Sequence, residues 1–342
     1  MSSNKLVSVL TPAYNSGKYI NRLLESILQQ TYPEIEMFVI DDGSTDNSKE
    51  VIDRYIPLFK EKGYTLNYVY QENSGQSVAI NNGLKFVSGD YLVWPDSDDY
   101  YATDDAIERM VNRLESAPSE FAMVRVQERL IKENTNETIC IKGVYANEEE
   151  PSSLFQNCVM GRMYYMPGGY MIRFKTFVDE NGLDIYTEKD AGQNWQMFMP
   201  ILYRHRCLTI KEPLYNVVIR PASHSRGQYE GFQRVLTKIG AYERTVINTL
   251  DYIKAMGDSE RDMYKNMVRR QYASRRFEEA LDSGRPEDVE QYYNELNEQY
   301  RASLKEKYQL FAYHHPSANK VLSFFLIPVR KLRAIVKAEK PL

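Results

Sequence analysis

The sequence predicts an α/β fold, a doubly wound and mostly parallel sheet followed by a helical C-terminal region. Three observations carry this. Over the first hundred or so residues, short apolar runs alternate with stretches of helical spacing, as in a parallel sheet with helices between its strands. A polar cluster follows each of four apolar runs. That puts four clusters on the carboxyl edge of the sheet, where such folds bind ligands. Beyond about residue 230 the apolar residues recur only at helical spacing.

In chain order, Leu6 to Leu10 is β-rich and ends at Thr11-Pro12. Lys18 to Gln30 has Ile20, Leu23, Leu24, Ile27 and Leu28 on one helical face. Ile35 to Ile40 is a near-continuous apolar run, as in a strand covered on both sides. Thr45 to Phe59 is a helix, Leu66 to Tyr70 a strand, Ser77 to Val87 a helix, and Tyr91 to Trp94 a fourth strand. Phe121 to Leu130 and Thr138 to Val144 read as strands joined by the turn Glu133 to Asn136. Leu208 to Ile210 and Leu214 to Ile219 read as two more strands, after a helix from Ala191 to Leu202. Two apolar stripes follow. One runs from Phe232 to Leu250, the other over Val289, Tyr292, Tyr293, Leu296, Tyr300 and Leu304 after the breaker Gly284-Arg285-Pro286.

Composition narrows the function. The chain has 342 residues, 43% hydrophobic and 26% charged, enough apolar content for a packed core. A net charge of −4 argues against a nucleic-acid partner, whose binding face would be basic. Cys140, Cys158 and Cys207 lie far apart without metal spacing, which fits a reducing compartment. No apolar stretch approaches the roughly 20 residues that span a bilayer. The expected location is cytoplasmic. The segment 319–342, with six basic residues and one acidic, would lie either on the inner face of the membrane or against the protein.

The site reading starts from Trp94-Pro95-Asp96-Ser97-Asp98-Asp99. Three carboxylates in four residues repel one another unless a cation or donors offset the charge. Hard oxygen ligands suit Mg²⁺ or Mn²⁺, which can bridge a diphosphate. A capping cluster before the helix that starts near Thr103 explains the same residues without a metal. The other edge clusters are Thr11-Pro12-Ala13-Tyr14-Asn15, Asp41-Asp42-Gly43-Ser44 and Gln71 to Gly75. Four on one edge point to a binding cleft. No GxGxxG follows the first strand, which disfavours a dinucleotide.

These stretches, in this order and spacing, resemble the family 2 glycosyltransferases of the GT-A fold, strongly over about the first 100 residues and weakly to about residue 225. The resemblance implies a nucleotide-sugar-binding half (1–100), an acceptor-binding half (101–228) and a helical region (229–342). It implies an inverting, metal-dependent enzyme moving a sugar from a nucleotide diphosphate, most readily UDP, to a hydroxyl of a surface glycan or lipid-linked oligosaccharide. Thr11, Pro12, Ala13 and Tyr14 would line the nucleobase and ribose pocket. Asp41 and Asp42 would accept from the uracil imide, unless Asp41 is only a turn residue. Asn73, Gly75, Asn81 and Ser97 would lie near the donor, with Asp96 on the ribose or sugar. Asp98 would hold Mn²⁺ or Mg²⁺, with Asp99 and His224 as further ligands and Arg220 or Arg226 neutralising phosphate. His224 also reads as a structural residue. The partners would be donor and acceptor, with a homodimer open. No QxxRW follows, so single-sugar addition is expected.

Two departures stand out. An Arg-Asn pair of the third helix reads Ile80-Asn81 here, and the Glu-Asp pair that carries the base reads Gln193-Asn194. An amide cannot act as a general base. Asp190 is the favoured replacement, then Glu188, with Asn194 retained at the catalytic position; both acids also read as charges capping the helix. Gly161 to Tyr170 would form an aromatic wall toward the acceptor or pack inside. The rival readings are a non-catalytic nucleotide-sugar binder and, less so, a sugar nucleotidyltransferase.

Overall fold

The computed structural model of the chain describes residues 4–143, 151–163, 166–220 and 231–317. The expectations for Tyr164, Tyr165, His224, Arg226 and the tail 319–342 fall outside the described residues. The chain divides into two compact units, one of residues 1–228 and 241–265 and one of 229–240 and 266–342.

The first unit is built on a nine-stranded sheet. Strands β1 (Val7–Ala13), β2 (Ile35–Asp42), β3 (Thr65–Gln71) and β4 (Tyr91–Val93) lie parallel in the order β3-β2-β1-β4. The sheet continues through β8 (Tyr170–Arg173), β6 (Phe121–Lys132), β9 (Arg206–Ile219) and the short β5 (Tyr100–Tyr101), with β7 (Thr138–Lys142) beside β6. Because β8 is antiparallel to both β4 and β6, β6 and β9 point the same way as β1 to β4. Six strands therefore end on one edge.

Helices cover both faces. Val7, Val9, Met37 and Val39 pack with α1 (Ile20–Leu28), α2 (Ser48–Lys62) and α4 (Ala106–Glu115). The alternate residues Leu10 and Ile40 meet α3 (Gln76–Gly83) on the other face. A Cβ at Gly83 would lie 2.3 Å from Leu10 Cδ1, so α3 sits this close only because that residue is glycine. The unit also carries α5 (Pro151–Val159), α6 (Phe174–Asn181) and α7 (Asn194–Arg204).

Three local expectations change. β1 does not stop at Leu10 but runs on to Ala13, with Pro12 opposite Ile40. β4 pairs with β1 only over Val7–Val9. One side of β1 is open beyond that point, and a proline is tolerated on an unpaired edge. Leu208–Ile210 and Leu214–Ile219 belong to one strand, β9, because Pro213 falls at a register shift opposite Gln127 and is absorbed as an irregularity. Tyr170, read as a possible acceptor wall, is buried with its ring 4.5 Å from that of Phe198.

Helices α8 (Phe232–Tyr252) and α9 (Asp258–Asp282) pass from one unit to the other. In the second unit, Phe277, Ala280, Val289 and Leu296 form a small core with α10 (Pro286–Tyr300). The last helix among its described residues, α11 (Leu304–His314), starts with a capping box between Ser303 and Glu306. Arg270 pairs with both oxygens of the buried Glu306, at 2.9 and 2.6 Å. Leu304, assigned to the stripe, is instead 86% exposed because it opens a new helix.

Candidate active site

The polar clusters do meet on the carboxyl edge, laced together by their own side chains. Asn15 takes a positive φ of 48° just past β1. Its N–H donates to Ser44 Oγ at 2.8 Å and its Oδ1 accepts from the Thr45 N–H at 2.8 Å. Gly17 N–H donates to Asp46 Oδ2 at 3.0 Å, and Ser16 N–H to Ser48 Oγ at 2.9 Å. Gly43, with φ of 81°, lies so close to the next loop that a Cβ would stand 2.8 Å from Asn73 N. Thr11 and Ala13 are buried in β1, whereas Tyr14 is exposed beyond the strand. A pocket-lining role therefore rests on Tyr14 and the backbone.

Asp41 and Asp42 close β2 and are both buried. Asp41 accepts from Ser44 N–H at 2.8 Å and from Tyr68 OH at 2.6 Å. Asp42 accepts from Gln71 Nε2, Ser74 N–H and Gly75 N–H at 2.7 to 2.9 Å. The pair thus shapes its own turn and the loop between β3 and α3. Any contact with a base would use remaining lone pairs, since each carboxylate oxygen can accept more than one bond.

In the acidic loop, the three carboxylates have separate environments. Asp96 accepts from Gln76 Nε2 at 2.8 Å. Burial pushes its carboxyl from the ordinary 3.8 up to about 6. Asp99, expected among the metal ligands, turns inward instead. It is 4% exposed and accepts from the Val218 N–H on β9 at 2.8 Å. Burial, and then the charge of Asp96, raise its pKa well above the usual range. Asp98 pairs with Arg220, the residue that follows β9, and its other oxygen has no partner among the described residues.

The loop before α7 is fastened to α3. Asn81, expected at the donor, accepts from Ile185 N–H at 2.8 Å. Ser77 exchanges hydrogen bonds with the backbone N–H and carbonyl of Glu188, at 3.0 and 3.1 Å. A Cβ at Gly75 would stand 3.4 Å from the Lys189 carbonyl oxygen. Helix α3 therefore holds both the loop after β3 and the segment carrying Glu188 and Asp190. Arg244, on α8, donates to both Glu188 oxygens at 3.0 and 3.1 Å. That pair occupies both Glu188 oxygens. Asp190 is exposed and has no hydrogen-bond partner among the described residues.

Gln193 and Asn194 stand at the N-terminus of α7. Gln193 is 1% exposed, and neither its amide oxygen nor its nitrogen has a partner among the described residues. Buried amides are ordinarily satisfied, so this unused capacity marks the spot. A second unsatisfied layer was not apparent in the sequence. Tyr101, Tyr215 and Glu128 lie side by side across β5, β9 and β6. Their buried oxygens Tyr101 Oη, Tyr215 Oη and Glu128 Oε2 have no partner among the described residues. Gly168 and Gly169 lie directly over them, since Cβ atoms there would fall 2.3 Å from Tyr215 Oη and 2.4 Å from Glu128 Oε1. Burial raises the Glu128 carboxyl well above its ordinary value. Residues distant in sequence compose this layer, which explains why no short motif announces it.

Residues 8–180 match the family model for glycosyl transferase family 2. The chain belongs to that family. The glycosyltransferase GlyA of Streptococcus pneumoniae is 31% identical over 159 residues, 46% of this chain and 19% of that protein. The putative teichuronic acid biosynthesis glycosyltransferase TuaG of Bacillus subtilis is 39% identical over 100 residues, 29% of this chain and 38% of that protein. The chain thus spans less than half the length of these relatives. Among solved structures, S. aureus TarS 1-349 in complex with UDP-GlcNAc superposes with a TM-score of 0.61 at 16% identity, covering 86% of this chain and 91% of that one. At that identity the likeness speaks for the fold, a GT-A-type sheet with helices and a helical C-terminal region.

The family implies a divalent cation, and the residues fit one in part. Among the described residues no three His, Cys, Asp or Glu side chains converge as a ligand set. Mg²⁺ at nucleotide sites, however, is usually held by one or two carboxylates together with substrate phosphates. Asp98, with one oxygen unpartnered, fits that role; Asp99 is turned away from it. Among the described residues no helix is long and apolar enough to cross a membrane.

Proposed function

We propose that this chain is an inverting glycosyltransferase that moves a hexosyl group from a nucleotide diphosphate, UDP-linked most readily, to a hydroxyl of a surface glycan or lipid-linked oligosaccharide. The observation that carries it is the convergence of the four family motifs on one edge, with Asp98 paired to Arg220, which stands over Tyr19 of the loop after β1. The TarS structure holding UDP-GlcNAc supports the donor class.

In the reaction, the acceptor oxygen bonds to the anomeric carbon as the bond to the diphosphate oxygen breaks, its electron pair leaving with the diphosphate. A divalent cation on Asp98 would supply Lewis-acid stabilisation of that leaving charge. Arg220 adds a second positive charge for the diphosphate. Asp190 takes the acceptor proton, because Glu188 is committed to Arg244 and Gln193 and Asn194 cannot hold a proton of this kind. The unused amide of Gln193 and the Oδ1 of Asn194, unpartnered among the described residues, orient acceptor hydroxyls by neutral hydrogen bonds. Peripheral membrane contact through 319–342 would bring the protein to a lipid-linked acceptor.

The test is a panel of nucleotide sugars with Mn²⁺ and lipid-linked or oligosaccharide acceptors, following release of UDP or GDP. Acceptor-dependent release supports the reading. The amides at the base position favour a second reading, a nucleotide-sugar binder without turnover. Tight binding with no release under any acceptor would select it. Asp98→Ala should abolish cation-dependent donor binding while the fold stays intact.

A further inference from the structure

One cation bridges two of the edge loops. Arg220 donates from Nη2 to Asp98 Oδ2. Its guanidinium carbon stands 4.0 Å from the ring centre of Tyr19, just ahead of α1. The arginine therefore joins the loop after β1 to the acidic loop after β4. Its position is fixed from below. β9 is paired with β6 as far as Ile219, and Val218 N–H is held by Asp99 Oδ1. The two side chains are only 15% and 25% exposed, and Arg220 Nε has no partner among the described residues.

From this geometry we infer that Arg220 is the resting counter-ion of Asp98, and that it makes cation binding depend on a nucleotide diphosphate. The inference rests on the donor reading given above. A carboxylate already facing a guanidinium cannot accept a divalent cation without bringing like charges together. A cation arriving alone must displace Arg220 and leave it unpaired against Tyr19. With a diphosphate present, the released guanidinium finds anionic oxygens at once, because arginine pairs phosphate as readily as carboxylate. Binding of the cation and of the diphosphate then favour each other, and the coupling is reciprocal. Asp99 has a positioning role here. By holding Val218 it sets Arg220 over Asp98, which explains why an acidic residue of the motif faces inward.

The experiment measures Mn²⁺ binding to the full chain by electron paramagnetic resonance, with and without UDP. In the unsubstituted protein, saturating UDP should tighten Mn²⁺ at least about fivefold. Arg220→Ala and Arg220→Gln should each bind Mn²⁺ without nucleotide at least about fivefold more tightly than the unsubstituted protein, with the gain from UDP reduced. Asp98→Asn should abolish Mn²⁺ binding in both conditions. The inference is overturned if both Arg220 variants, folded by circular dichroism and unchanged in Tm, bind Mn²⁺ alone no more tightly than the unsubstituted protein. It is equally overturned if Mn²⁺ binds none of them. The arm without nucleotide needs no donor, so failure of UDP to bind would sink the donor reading separately from the competition at Asp98.

Discussion

Asp96 pays a stability cost for its place in the cleft, and removing its charge should recover it. Burial raises its pKa from 3.8 to about 6. For an acid shifted upward, the folded protein holds a proton that the unfolded chain has already released. Stability is therefore intact below about pH 4, falls as the pH rises toward 6, and stays reduced above that. A shift of about two units corresponds to roughly 3 kcal/mol, at about 1.4 kcal/mol per unit. Asp96 is only half-buried, and water screens part of this, which leaves about 1–2 kcal/mol. Asp96→Asn keeps an oxygen for Gln76 and also removes the charge that raises Asp99. Urea unfolding at pH 7.5 should show the variant more stable by about 1–2 kcal/mol, with the difference shrinking toward zero near pH 4. The same variant should lose donor binding. A gain that does not vary with pH, or a loss at pH 7.5, would refute the reasoning.

Asp190→Asn should lower turnover at least about a hundredfold while donor affinity stays within about twofold; an unchanged kcat returns Asp190 to a capping role. Gly168→Ala would place a Cβ 2.1 Å from Tyr215 Cζ, inside a fully buried layer. A loss of about 1–3 kcal/mol is expected in thermal unfolding, with none for Gly257→Ala, whose Cβ would meet nothing within 4 Å. In the second unit, burial alone would raise Glu306, but donors from Arg270, Ser274 and Ser303 outweigh it and bring it down to about 2. The stability this supplies is complete above about pH 4.5 and disappears as the pH falls toward 2. Glu306→Gln should cost roughly 2–4 kcal/mol at neutral pH, read as faster amide exchange in α11.

By itself, the sequence determined the alternating sheet, the carboxyl-edge clusters and the family, because each is written in local signals. Period-two and period-3.6 patterns, turn residues and contiguous motifs survive without knowledge of the fold. Strand ends were less visible, since Pro12 and Pro213 look like breaks until the neighbouring strands show where pairing stops or slips. Only the tertiary structure decided what each acid does. Asp96, Asp98 and Asp99 look equivalent in a row, yet one meets Gln76, one Arg220 and one the backbone of Val218. Glu188 and Asp190 are separated in the same way by Arg244. A carboxylate's reach is set by burial and by partners 20 to 122 residues away along the chain, and no local pattern encodes such partners.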